Sequence, residues 1–598
     1  MRRRATHRRG NGRFRRWLFG LAGLLGLALA LSACSDDVEA LADGTADEAG
    51  TPVAIAVHLR VQRPGAQTRA NGSGYAAGDP LAPVGDEYTL GFTEAEMAVH
   101  SLTLVMMRVR TDGTEEFERS QTIQSPTDTD NDGAYDATFE LTGYSGTKRF
   151  YLLANAEPAH IGAFTTAGRV FDAGMEEEGH NIVGKLMNVD SDTGAGSHIL
   201  MTAAITTADG GRDITLAGPT VDDDKDRIDI EIANPVRLTR AVAKVLLTCQ
   251  IASDNTDKVY VNSDDGGWIQ LENVRYILNV LNRKTYMDYR TEETVDGTKY
   301  LLDPNYVMRD WIAERPEGGG YGLRDLEAYR REFLYYDTQG MVNLLNAAVQ
   351  EYEGITVHPC TSRQATKYDA SMLGNNAANH YTEGLYCPEN MVHWNLKEMT
   401  NAEFLSANRF VTTRVMVGAK YTPKKIWIVD EDGVLKKVTA EIEDEAHELL
   451  NAGLPDGSGG TNAGENPGYD DNYLPDTFWR CDEQYFTYEA MMKVIADSKE
   501  TVDFNRYDGG WGYYYTYIDK EANEAADAAE KNKTIPHERW GVKRNHYYIL
   551  NVKKIEGPGS AYPGNEMMRI HSRLLDWVDK GGSDVEVDIP QESEEGTL

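Results

Sequence analysis

From Pro52 to Gln62 the chain alternates. Val53, Ile55, Val57, Leu59 and Val61 take every second place, with Ala54, Ala56, His58, Arg60 and Gln62 between them. A period of two predicts a strand with one buried and one wet face. Pro64 and Gly65 end it, and a polar run leads to Arg69 and Ala70 and then to the Gly/Ser-rich 71–74, a composition suited to proteolytic nicking. A strand followed by a cuttable basic residue is a removable strand. Fully buried, its five aliphatic side chains would contribute roughly 8–15 kcal/mol as an upper estimate, comparable to the roughly 5–15 kcal/mol net stability of a domain. Its loss would leave an apolar groove and unpaired edges, which a strand from a neighbouring molecule would fill. The alternative reading of the same pattern is an ordinary first strand followed by a loop.

Short runs rich in Val, Ile, Tyr and Thr recur at Leu102–Val109, Ala137–Leu141, Arg149–Ala154, Ile228–Ile232, Val242–Thr248, Val411–Ala419, Ile426–Val429 and Tyr547–Val552. They predict a mainly β chain of sandwiches. Asn155 and His546 read as polar strand-end residues. Helices are expected at Asp325–Tyr335, Met341–Glu351, Tyr488–Ser498 and Lys520–Lys533, and a loop at Asp456–Asn472. The least structured stretch, Ile251–Trp268, places a domain boundary near residue 250. Met568–Trp577 and Val585–Ile589 read as two more strands joined through Gly581-Gly582, before an acidic end.

The first 17 residues carry eight Arg and no acid, followed by the apolar LFGLAGLLGLALALSAC at 18–34. This is a secretory signal, too short in its apolar run for a membrane span. Leu31-Ser32-Ala33-Cys34 resembles a bacterial lipobox, with diacylglycerol added to Cys34 and cleavage before it. Losing eight Arg moves the formal net charge from −35 to −43, which excludes nucleic acid and anionic lipid as natural partners. Beyond Cys34 only Cys249, Cys360, Cys387 and Cys481 remain. They do not form a disulfide scaffold, although one bridge such as Cys360–Cys387 is compatible with export.

There is no HExxH, GxSxG, Walker A or strand-following GxGxxG, and the histidines are scattered, so nothing supports catalysis. One constellation is sharper. Asp128, Asp130 and Asp132 precede Gly133 as DxDxDG, with Asp136 at the ninth place, an oxygen-rich turn of the kind Ca²⁺ takes. The twelfth place is Phe139, so the loop is not an EF-hand. The alternative is a solvated acidic loop, with no cofactor.

In order and spacing, several segments resemble the fimbrillins of Bacteroidales type V pili, in particular the shaft subunit of short fimbriae. The resemblance rests on the lipobox, the strand Val53–Val61, Arg69-Ala70 in TRANG, LTLVMM, GTKRFYLLANA, VRLTRAVAKVLLTC, TTRVMVGAKYTP, GGWGYYYTYI and WGVKRNHYYILNVKKIEGPGSA. It implies two tandem transthyretin-like β-sandwich domains at 70–250 and 251–565, with helical and loop insertions in the second. They would follow a lipoprotein signal at 1–33 and a propeptide at 34–69. An Arg-specific protease would cut after Arg69, freeing the subunit from its outer-membrane lipid and emptying the groove of Val53, Ile55, Val57, Leu59 and Val61. The tail 566–598 of another subunit would refill it by donor-strand exchange, through Ile570, Leu575, Trp577, Val585, Val587 and Ile589. Implied partners are other copies, anchor and tip pilins. A head-to-tail contact of this kind builds an open filament on the cell surface.

The main competing reading is a permanently lipidated surface binding protein or tip adhesin, with Trp511 or Trp577 as exposed contacts; the ordinary place of both tryptophans is the sandwich core. A surface glycosidase is the third.

Overall fold

The computed structural model describes residues 50–62, 98–128, 134–173, 198–218, 227–250, 273–293, 321–335, 385–391, 410–455, 473–499, 501–518, 541–552, 557–562 and 572–576, with shorter stretches between 187 and 363. The expected helix at Lys520–Lys533, the loop at Asp456–Asn472, most of Met341–Glu351 and the strand Val585–Ile589 lie outside them.

The chain is mainly β, as its alternation requires. Its first half holds five long strands: β1 (Pro52–Gln62), β2 (Ser101–Val109), β3 (Glu115–Gln124), β4 (Ala134–Tyr144) and β5 (Gly146–Ala154). A six-stranded sheet runs Thr239–Arg240, Met201–Ala204, β5, β2, β3, with Ile214–Leu216 also on β5. A four-stranded sheet contains β4, β1, Arg227–Glu231 and Val236–Arg237. On β4 the buried residues Tyr135, Ala137, Phe139 and Leu141 alternate with exposed ones, so this sheet has one apolar face, turned to the core it shares with β2 and β5. Gly143 permits a close approach there, because a Cβ would lie 2.6 Å from Met106 Cε of the other sheet and 3.4 Å from Ile55 Cδ1.

One unbroken segment leads into the second half. Val236–Arg237 pairs with β1, Thr239–Arg240 with Met201–Ala204, and Val242–Gln250 with strands of the C-terminal half. Sheet membership therefore changes at Ala241, before the boundary expected near residue 250, and the stretch 251–268 contributes strands at Lys258–Val261 and Gly267–Gln270. Val242–Gln250 sits between His546–Val552, in parallel, and Leu385–Pro388 and Thr361–Arg363. Among the described residues Ser572–Asp576 is the edge strand on His546–Val552. A second sheet centres on Arg414–Pro423, which pairs with Arg275–Asn279, Gly267–Gln270 and Trp511–Tyr517.

Between Lys425 and Tyr507 lies an insertion with its own five-stranded sheet and the helices Glu443–Asn451 and Tyr488–Asp497. The second helix falls where its periodicity placed it, capped by Thr487, whose hydroxyl accepts from Ala490 N–H. Where a helix was expected over Asp325–Tyr335, helix Leu326–Glu332 gives way to a short strand at Phe333–Leu334.

Cys387 is a free, fully buried thiol whose acidity burial suppresses, so it is no half of a bridge to Cys360; Cys481 is also free. Trp511 packs into the core with Ile277 and Met416, the place expected of a sandwich tryptophan rather than of an exposed contact.

Candidate functional site

β1 is an interior strand. Along its full length it pairs antiparallel with β4, from Pro52 opposite Tyr144 to Gln62 opposite Ala134. Its other edge pairs in parallel with Arg227–Glu231, Ala54 to His58 matching Arg227 to Glu231, and then with Val236–Arg237. The five aliphatic residues named from the alternation are all buried, with Val57 and Val61 at zero exposure. They belong to the cluster that includes Leu104, Met106, Phe139 and Leu152. Taking β1 out would open a slot between β4 and Arg227–Glu231, with an apolar floor and two facing rows of backbone N–H and C=O groups.

The outer face of the slot is polar. His58 Nδ1 lies 3.0 Å from Thr138 Oγ1, and His58 Nε2 lies 3.4 Å from Asp229 Oδ1. Arg60 Nη1 donates to Asp136 Oδ1 at 3.2 Å. The His58 hydrogen bond holds the Asp229 carboxyl below its usual range, and Arg227 acts in the same direction. Arg227 also reaches across β1, with Nη1 3.2 Å from Glu140 Oε1 on β4 and Nη2 3.0 Å from Asp229. Ala54 and Ala56 are small enough to let the guanidinium pass, and Ala56 is consequently buried on an otherwise wet face. Without β1 the described rim would carry Asp136, Glu140, Asp229 and Glu231 against Arg227 and, opposite Gln62, Arg237.

At the mouth of the slot Thr51 N–H donates to Ser145 Oγ at 2.9 Å, and Ser145 N–H donates back to Thr51 O at 2.8 Å. Behind it the buried Lys148 pairs with Glu118, whose other oxygen accepts Tyr144 N–H at 2.7 Å. Burial pushes the Lys148 ammonium below its usual range, and Glu118 opposes that shift.

The remaining predicted site residues divide. Leu575 lies on the edge strand Ser572–Asp576, opposite Tyr547. Cys34, Arg69, Ala70, Ile570, Trp577, Val585, Val587 and Ile589 lie outside the described residues, as do Asp130 and Asp132. Asp128 follows β3, whereas Asp136 stands within β4 and is engaged by Arg60. Among the described residues no group of three or more His, Cys, Asp or Glu is arranged to hold a metal ion.

Sequence reasoning missed a buried joint between the two halves. Arg544 makes a two-pronged pair with Glu389, both fully buried: Nε to Oε2 at 3.0 Å and Nη2 to Oε1 at 3.1 Å. The same Nη2 donates to Thr285 Oγ1 and Tyr286 O, on a strand that pairs with Val170–Asp172 of the first half. Asn545, at φ 61°, accepts from Arg240 N–H and Arg240 Nη1, both at 3.3 Å. A basic–Asn–His run before a strand was the available signal, and it read only as a strand end.

Residues 505–593 match the family model described as major fimbrial subunit protein type IV, Fimbrillin, C-terminal. No curated protein sequence matches the chain. Among solved structures, the fimbrilin FimA of Porphyromonas gingivalis is 13% identical, with a TM-score of 0.34, covering 88% of this chain and 99% of its own. The tip fimbrial protein Mfa3 of the same organism is 10% identical, with a TM-score of 0.31, over 88% and 100%. A Parabacteroides distasonis protein with a suggested role in cell adhesion is 14% identical, with a TM-score of 0.34, over 88% and 100%. The matching family is a structural fimbrial one rather than an enzyme family.

Proposed function

We propose that this fimbrillin-like chain is the shaft subunit of a bacterial surface fimbrium, made as an outer-membrane lipoprotein and assembled by replacement of its first strand. The supporting observation is the position of β1: interior, paired on both sides and apolar beneath, yet joined to the rest of the chain only through the segment that contains Arg69. Cleavage there by an Arg-specific protease cuts the covalent link between slot and strand and detaches the subunit from the lipid on Cys34. A strand from the tail 566–598 of another copy then takes the place of β1. Because slot and tail are different surfaces, the contact repeats head to tail without closing. Anchor and tip subunits occupy the two ends, and the fibre supports adhesion.

Two further elements belong to the same reading. Two transthyretin-like domains stand in tandem, expected at 70–250 and 251–565 and meeting nearer Ala241, where sheet membership changes, the second carrying the Lys425–Tyr507 insertion. Asp128, Asp130 and Asp132, with Asp136 at the ninth place, form a loop that takes Ca²⁺; Asp136 stands on β4 in an exposed ion pair with Arg60 while β1 is in place. Calorimetric titration with Ca²⁺ tests the loop, and absence of heat removes it.

N-terminal sequencing of surface-extracted protein tests the function. A start at Ala70, with detergent-resistant ladders after trypsin treatment, is expected, and deletion of 566–598 should stop the ladders while leaving the fold intact. A start at Cys34 and no ladder would instead identify a permanently lipidated surface protein.

A further inference from the structure

The strand in the slot and the tail share a pattern. Val57-His58-Leu59-Arg60-Val61 reads apolar, His, any, Arg, apolar, and so does Ile570-His571-Ser572-Arg573-Leu574. The likeness extends upstream, where Met568 and Arg569 stand at the places of Ile55 and Ala56. We infer that the slot selects Met568–Leu574 of a second copy, in the same direction and register as β1, by the acidic rim that His58 and Arg60 now neutralise. This rests on the strand-replacement reading above and adds to it which tail segment enters, and how.

The contacts define what an occupant must offer. Its inward positions face the floor now filled by Ile55, Val57, Leu59 and Val61; Met568, Ile570 and Leu574 supply three of the four, and Ser572 replaces Leu59. Its outward positions face Thr138 and Asp229 at His58, and Asp136 at Arg60. His571 and Arg573 bring the same two groups, two residues apart, so that both fall on one face of a strand. Arg569 enters opposite Glu140 and Asp229, the two carboxylates that Arg227 now bridges across Ala56. The alternative segment Val585-Glu586-Val587-Asp588-Ile589 has the apolar alternation but presents Glu586 and Asp588 to an acidic rim, where like charges directly opposite one another repel. The rim therefore rejects the more regular strand and accepts the less regular one.

The tail has somewhere to come from. Among the described residues Ser572–Asp576 pairs on one side, with His546–Leu550, whereas the slot offers β4 along one edge and, along the other, partners for Ala54–His58 and Val61–Gln62. Exchange trades one row of backbone hydrogen bonds for two and satisfies both edges that the departing strand leaves open.

Strand displacement tests this on the full chain, nicked after Arg69 so that the first strand stays bound but is no longer tethered. Synthetic peptides of residues 566–576 and 583–591 are added in turn, and native mass spectrometry follows loss of the N-terminal fragment and gain of peptide. The 566–576 peptide should displace the fragment, and its His571→Glu/Arg573→Glu form should do so about tenfold less well at low salt. Pairing the Arg573→Glu peptide with an Asp136→Lys chain should recover part of that loss. Displacement by 583–591 as effective as by 566–576, or indifference to the charge reversals, would overturn the selection while leaving strand replacement standing. If no peptide from 566–598 displaces the fragment, strand replacement itself fails, and the selection with it.

Discussion

Val57 lies directly opposite Phe139 on one side and Ile230 on the other, joining β4 to Arg227–Glu231 through a single fully buried side chain. Its neighbour Ala56 faces the opposite way, beneath the Arg227 bridge. The two positions therefore respond differently. Val57→Ala should cost about 2–3 kcal/mol of stability through lost burial and the cavity left behind. Ala56→Leu, which displaces ion pairs that are largely exposed, should cost about 1 kcal/mol or less. Urea denaturation of the two variants checks this, and equal losses would contradict the two-faced strand.

The Glu389–Arg544 pair is buried without access to water, so removing one partner strands the other charge. Glu389→Ala should destabilise by about 3–5 kcal/mol. Replacing both together, as Glu389→Met with Arg544→Met, should recover much of that loss. Thermal denaturation of the single and double variants reads the difference, and a double variant as unstable as the single one would show that the hydrogen bonds to Thr285 and Tyr286, rather than charge pairing, hold the joint.

Burial, with Lys543 acting in the same direction, pushes His546 down to about 3. Its Nδ1–H donates to Arg544 O at 2.8 Å, and Nε2 has no hydrogen-bond partner among the described residues. In the unfolded chain the ring titrates near 6.5. Between those two values the unfolded state binds the extra proton. The stability that the neutral ring contributes is therefore complete above about pH 6.5 and drains away as pH falls towards about 3, by up to about 1.4 kcal/mol per pH unit. Denaturant midpoints measured across this range should slope with pH in the native protein and lose part of that slope in His546→Gln.

Asn155 closes β5 in the left-handed region, at φ 59°. Its Oδ1 accepts His100 N–H at 2.8 Å, and its Nδ2 donates to Ala98 O at 2.8 Å and Ile199 O at 3.0 Å. Asn155→Ala loses both the hydrogen bonds and the backbone preference, at an expected cost of about 2–4 kcal/mol. Asn155→Gly loses the hydrogen bonds alone and should be about 1 kcal/mol less damaging. Chemical denaturation of the pair separates the two contributions, and identical losses would remove the backbone part.

Period-two alternation is local, and it was enough to locate β1 and to name its five residues that face the core; β2, β4 and β5 were legible as short runs rich in β-branched, aromatic and aliphatic residues. Asn155 and His546 were legible as strand ends, yet their work was not, because the carbonyls and amides they serve come from distant segments. The buried Arg544 drew no reading from the basic run that holds it; burying it depends on Glu389, whose sequence context gives no hint of the pairing. Cys387 invited a bridge that the fold replaces with close packing.

On β1 and β4 the sequence by itself decided which face is apolar, since that follows from the order of side chains along an extended backbone. Only tertiary structure decided that β1 has neighbours on both edges, antiparallel on one and parallel on the other, that Arg227 passes over two alanines to join Glu140 and Asp229, and that among the described residues Ser572–Asp576 is an edge strand. Strand neighbours are chosen by segments far apart in the chain, through the burial they share and the backbone groups they satisfy. No local pattern encodes that choice.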